Sequence, residues 1–363
     1  MSFKINKIKI AIKGGISLLF FSVLISFVQG NQLVHIFSRI DWFFFMLSMI
    51  LSPIMVVVSC LKWKMILDVG EKKIPFGTLF RIYLIGYFFS NMLPSTVGGD
   101  IVRSYYSGKI IQDQSWSAIS IFIERFSGIF FLFFLVILTP VFKPSLYKSA
   151  YIVIPIVGSL FLILFTIWIL KVKNPFIYPE KMFALFVKGL EKCAVVIGFK
   201  KSDKIVKTIK LRFESVMCRV EKLHSKLNFA VRTIGEDKRL LIQLVCITGL
   251  FYFLTWLNVS FALLAFDVEY QFLDICALVP TIMFVAHIPV TLLGNLGFFE
   301  SVYVFYFLLI DIPGVESLAM ALLLRMKMLL IGLAGFLVYF AYKHEIDGTV
   351  DHLSKEGDTD AER

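Results

Sequence analysis

Asp100 and Arg103 follow a broken stretch, Asn91-Met92-Leu93-Pro94-Ser95-Thr96-Val97-Gly98-Gly99, set between strongly apolar runs. Glu124 and Arg125 interrupt the apolar run 116–142, Arg325 and Lys327 interrupt 317–342, and Arg81 lies within 76–93. Glu300 ends a second break that contains Pro289, Thr291, Gly294 and Gly297. Charged side chains in hydrocarbon cost several kcal/mol, so they face a protein interior or a polar cavity. Singly, each reads as half of an internal ion pair that fixes helix register. Together, arginines beside two glycine-bearing turns suit a phosphate, because guanidinium forks match its oxygens and amides at helix starts favour anions. The acids would pair with the arginines in the empty state and receive an amine or sugar hydroxyls in the filled one. The candidate substrate-binding residues are therefore Asp100, Arg103, Glu124, Arg125, Glu300 and Arg325, with the three arginines expected to converge on one cavity. Asn91, Pro94, Gly98, Gly99, Pro289, Gly294 and Gly297 would form the two re-entrant turns.

The elements that hold these residues must be membrane helices. Of 363 residues, 58% are hydrophobic and 17% charged, and 39 are phenylalanine, which exceeds what one soluble core can hide. Runs near the roughly 20 residues needed to cross a bilayer fall at 10–29, 41–61, 116–142, 149–170, 240–266, 272–291 and 317–342. The fold class is thus all-α and polytopic, with seven or eight membrane segments. Residues 76–93 are apolar enough to insert but meet Pro94 and Gly98-Gly99 in place of an exterior loop. A loosened backbone survives at membrane depth only where protein or a polar cavity covers it, so a hairpin entering and leaving by one face is expected. The second break predicts another from the opposite face. Two interrupted segments in corresponding parts of two halves are the pattern of an inverted repeat, with Pro94-x-Thr96-x-Gly98 set against Pro289-x-Thr291-x-x-Gly294 across a gap.

The formal charge is +11, and nearly all of it comes from residues 171–240. Lysine bias places that segment, the Lys62 to Lys73 loop and both termini in the cytoplasm, and Asp267–Asp274 and Asp311–Glu316 outside. Within it, Ile205, Ile209, Phe213, Val216, Val220, Leu223 and Leu227 recur at helical spacing, giving a basic amphipathic helix packed under the bundle or lying on anionic lipid. No nucleic-acid recognition pattern accompanies the charge. The first span follows Lys4, Lys7, Lys9 and Lys13 without a good cleavage site, and so reads as an uncleaved anchor. The tail 343–363 reads as a polar, disordered cytoplasmic segment. Cys60, Cys193, Cys218, Cys246 and Cys276 show neither metal-ligand nor disulfide spacing. His287 has no spaced partner, and neither a phosphate-binding loop nor a nucleophile elbow is present. No cofactor or metal is expected.

At these motifs the chain resembles the lysylphosphatidylglycerol-synthase transmembrane-region family, the flippase-like domain at the N-terminus of the multiple peptide resistance factor. The similarity runs through Asn91, Leu93-Pro94, Gly98-Gly99-Asp100-x-x-Arg103, Glu124-Arg125, the Pro289–Glu300 glycine motif and Arg325. The third motif departs from the family pattern: Gly294-Asn295-Leu296-Gly297 is less glycine-dense, and Phe299 replaces a polar residue. The resemblance implies a flippase-like membrane domain over 1–342, interrupted by the basic insertion 171–240, with a cavity for a lipid headgroup. It implies no aminoacyl transfer, which in the bifunctional proteins belongs to a separate soluble domain. The expected role is to bind a phospholipid or polyprenyl-phosphate-linked lipid and move it across a bacterial inner membrane in envelope biogenesis. The other readings are a membrane enzyme of glycosyl transfer, with Asp100 or Glu124 as base, and a non-catalytic scaffold. Expected partners are lipid, a further copy of the chain or envelope-synthesis enzymes.

Overall fold

In a computed structural model the described residues are 35–70, 72–92, 98–171, 225, 232, 234–288, 290 and 295–361. The expected first span, the loops carrying Pro94, Pro289 and Gly294, and the basic amphipathic helix lie outside them. Among the described residues the longer elements are helices: α1 (Trp42–Leu67), α2 (Phe76–Met92), α3 (Gly98–Ile111), α4 (Gln114–Leu138), α5 (Ala150–Lys171), α6 (Lys238–Leu264), α7 (Phe272–Ala286), α8 (Phe298–Leu308) and α9 (Gly314–Ala361). Two short 3-10 turns, Thr139–Phe142 and Pro144–Lys148, join α4 to α5. Five helices (α1, α4, α5, α6 and α9) contain stretches long and apolar enough to cross a bilayer. The chain separates into a larger unit, 1–160 with 239–363, and a smaller one, 161–238. In the smaller unit Arg232 Nε donates to Glu236 Oε1 at 2.7 Å, one turn on.

Helices α2, α3, α7 and α8 have 17, 14, 15 and 11 residues. At 1.5 Å per residue they reach about 16 to 26 Å, short of a roughly 30 Å hydrocarbon core. The expected span 272–291 is thereby corrected: α7 stops at Ala286, where Asn295 Nδ2 takes up the Ala286 and Ile288 carbonyls at 2.9 and 2.8 Å. Composition also predicts a disordered tail, whereas α9 continues to Ala361; once a helix is nucleated, each added residue brings its own hydrogen bond.

Each pair of short helices doubles back. Lys72 Nζ, before α2, donates to Gln112 Oε1, just after α3, at 2.5 Å, so the first hairpin enters and leaves at one end. That end also holds the close of α1 and the start of α4, where Trp116 Nε1 donates to the Leu67 carbonyl at 3.1 Å. The start of α7 meets the far end of α4 instead, through Lys143 and Asp274 at 2.6 Å. The two hairpins therefore open toward opposite ends.

The element order repeats: a long helix, two short ones, a long one (α1 to α4, then α6 to α9). Gly98 and Phe298 begin α3 and α8, and Gln114 and Gly314 begin α4 and α9, each pair 200 positions apart. The first helices of the hairpins, starting at Phe76 and Phe272, are 196 positions apart, so the register shifts by four between the two helices of each hairpin; the gapped motif match read from the sequence falls there, largely outside the described residues. Helices α1 and α6 run antiparallel: Asp41 N–H donates to the Ala265 carbonyl at 2.9 Å, and seven residues further along, Ser48 Oγ meets Asn258 Oδ1 at 3.1 Å. The halves are thus inverted copies. The largest buried apolar cluster joins α6, α7, α8 and α9, and a smaller one joins α1, α2, α3 and α4.

Candidate functional site

Gly98 and Gly99, expected to loosen the backbone, lie buried in the first turn of α3. A Cβ on Gly99 would overlap the Gly86 carbonyl and Ser90 Oγ, and one on Gly86 would overlap the Arg103 side chain. The glycines therefore let α2 and α3 touch along their backbones, as small residues do between membrane helices. On the other side of α2, Asn91 Nδ2 donates to the Met328 carbonyl of α9 at 3.1 Å, and Gly335 gives room for the Leu84 carbonyl.

This packing fixes Arg103, which is 2% exposed. Its Nη2 donates to Asp100 Oδ1 at 2.8 Å and to Glu124 Oε2 at 3.1 Å. The guanidinium carbon lies 4.8 Å from the Trp63 ring centre and 4.6 Å from that of Tyr83. Nη1 is buried without a hydrogen-bond partner. Arg125 shares the same acid, with Nη2 3.0 Å from Asp100 Oδ1, yet its side chain is 47% exposed. Lys62 of α1 is also buried, with its Nζ against Gly128 of α4, one turn beyond Glu124. Two guanidinium groups and two carboxylates thus interlock, with Lys62 alongside. Both carboxylates considered as a general base are engaged with guanidinium.

Arg325 does not join this group. Its Nε donates to Glu300 Oε1 at 2.7 Å, its Nη2 to the Asn295 carbonyl at 3.3 Å, and its guanidinium covers the Phe299 ring at 4.9 Å. Glu300 Oε2 accepts the Gly297 N–H at 2.8 Å. Gly297 is the N-cap of α8 at φ 84°, a left-handed conformation suited to glycine. So the structure pairs two of the three arginines through Asp100 and gives the third its own acid. Helix α2 stands between the two pairs: Tyr83 stacks on Arg103, and two turns on Asn91 bonds the carbonyl of Met328, three residues beyond Arg325 on α9. Arg125 and Arg325 are each the twelfth residue of their long helix, about 16 Å from its start, near the middle of a roughly 30 Å core. His287 Nδ1 donates to the Met283 carbonyl, as suits a structural histidine.

The sequence named Lys327 as an intramembrane charge but not as a bridge between helices. Its ammonium is 2% exposed and is held by Ser48 Oγ at 2.5 Å and Asn258 Oδ1 at 2.7 Å, tying α9 to α1 and α6. Lys62, assigned by lysine bias to a cytoplasmic loop, lies instead inside α1, which runs on to Leu67 and buries it. Its place near the end of a span resembles an ordinary flanking lysine, and only the fold turns it inward.

With the fold and the paired charges described, the chain can be set beside known proteins. The family described as Lysylphosphatidylglycerol synthase TM region matches residues 10–335. The chain belongs to this family. Among curated proteins, a UPF0104 membrane protein of Methanocaldococcus jannaschii is 28% identical over 137 residues, which cover 37% of this chain and 40% of that relative. The chain thus matches less than half the length of that relative. No solved structure matches it.

Proposed function

We propose that this membrane protein binds a phosphorylated lipid by its headgroup at the Asp100–Arg125 pair and carries it between leaflets. The observation that supports this reading is Arg125, which meets Asp100 along one edge, through Nε and Nη2, and yet stays half exposed. A half-exposed guanidinium inside the bundle suits an anion. Arg125 is the group able to offer it a guanidinium fork. Arg103, spent on two carboxylates and stacked on Trp63 and Tyr83, positions Asp100 and Glu124. The family's name supports a lipid-related role, and the inverted hairpins suit a site approached from either side.

The test is lipid binding by the purified protein in nanodiscs of zwitterionic lipid doped with phosphatidylglycerol, phosphatidic acid or a polyprenyl phosphate. Arg125→Lys keeps the charge but loses the fork, and should weaken the bound phospholipid roughly tenfold, about 1.4 kcal/mol. Zwitterionic lipid should change less. An affinity equal to the parent's for each phosphorylated lipid would remove Arg125 from the site. Native mass spectrometry of lipid retained through purification identifies the headgroup.

A further inference from the structure

The two mid-membrane ion pairs are equivalent by position. Asp100 and Glu300 are the third residues of α3 and α8, Arg125 and Arg325 the twelfth residues of α4 and α9, and each stands 200 positions from its counterpart. They differ in how closed they are. Arg125 is half exposed, whereas Arg325 and Glu300 are 7% and 1% exposed.

Glu300 also behaves as a bound anion would. One carboxylate oxygen receives the Arg325 Nε–H and the other the Gly297 N–H at the start of α8. Two oxygens of a phosphate would accept the same two donors, a guanidinium and a helix-start amide. Helix α2, which sets Tyr83 against Arg103 and Asn91 against Met328 just beyond Arg325, lies between the two pairs.

We propose that Arg325 is a second phosphate station, the counterpart of Arg125 in the inverted half, and that Glu300 fills it in this structure. The inference rests on the phosphate reading of Arg125 and adds a second site to it. An arriving phosphate takes the Arg325 and Gly297 donors and releases Glu300, as the Asp100–Arg125 pair closes behind it. The hairpins open toward opposite ends, so passing a phosphate from Arg125 to Arg325 moves it from the half open at one end to the half open at the other. No bond to phosphorus forms or breaks. The recognised group is a phosphate ester of a lipid headgroup or free inorganic phosphate.

The experiment counts phosphate groups bound per chain by native mass spectrometry and calorimetry on the full chain, with short-chain phosphatidic acid in one arm and inorganic phosphate in the other. The parent should bind one equivalent tightly and a second weakly. Glu300→Gln, which removes the competing charge but keeps Arg325, should tighten the second roughly tenfold. Glu300→Gln/Arg325→Gln removes both charges together, so no lone buried ion remains, and should lose the second equivalent while keeping the first. Should Glu300→Gln fail to fold, the parent and the double variant decide between them. A second equivalent of unchanged strength in Glu300→Gln, or one that persists in the double variant, overturns the proposal. So does a parent that takes a single equivalent at every concentration. A parent that takes none in either arm sinks the reading of Arg125 itself. Binding in the phosphatidic acid arm alone identifies the lipid ester as the ligand, and equal binding in both arms identifies the free anion.

Discussion

Lys327 shows how a buried charge can be structural without an opposite charge. Its ammonium carries three N–H donors, and the neutral oxygens of Ser48 and Asn258 answer them where α1, α6 and α9 meet. Removing one acceptor leaves a buried cation under-satisfied, which costs about 1–3 kcal/mol or more; removing the cation itself is close to neutral, because its desolvation cost disappears with it. Asn258→Ala should therefore lower the detergent melting temperature clearly, while Lys327→Met should hold or raise it. The reverse order would mean that the ammonium is a net stabiliser. The same distinction explains what was legible at this scale. Asp100, Arg103, Glu124, Arg125, Glu300 and Arg325 stand out because charge inside apolar runs is rare. Which arginine meets which acid depends on helix packing, and so the expected three-arginine convergence became one shared pair and one separate pair.

The hairpins were legible as elements because helix breakers stand in the middle of apolar segments too short to cross twice. What the glycines do was not legible, since flexibility and close packing call for the same residue. Gly99 and Gly86 lie where α2 and α3 touch, and a methyl group on Gly99 has the Gly86 carbonyl in its place. Backbone atoms cannot rotate aside as side chains can. Gly99→Ala should therefore force the hairpin apart and destabilise the protein by about 1–3 kcal/mol. Gly77, near the start of α2, has nothing within 4 Å of its would-be Cβ, and Gly77→Ala should cost nothing or add slightly to stability through helix propensity. Equal melting temperatures for the two variants would show that the α2–α3 contact yields more readily than its geometry indicates.

At the scale of the whole molecule, the inverted repeat was foreseen from two breaks, but the 200-residue register of α3 with α8 and of α4 with α9 was not. The equivalent residues differ in kind: Gly98 answers to Phe298, Arg103 to Tyr303, Glu124 to Leu324. Halves that face opposite ends have different neighbours to satisfy, so side chains diverge while helix starts and the acid–arginine spacing persist. Orientation then follows from charge. Lys72 and Lys73 lie at the mouth of the first hairpin, and Asp267 and Glu269 precede the second. Since the mouths open toward opposite ends, lysine bias predicts the first on the cytoplasmic side and the second on the outer side. Lys73→Cys and Glu269→Cys, each at an exposed side chain and in a background with the five native cysteines replaced, should react with an impermeant maleimide from opposite sides of the membrane. In intact cells only Glu269→Cys should be labelled, and in inverted vesicles only Lys73→Cys. A complete exchange of the two would reverse the orientation and leave the repeat standing. Labelling of both from one side would contradict the inverted arrangement, and with it any handover of a phosphate between the two halves.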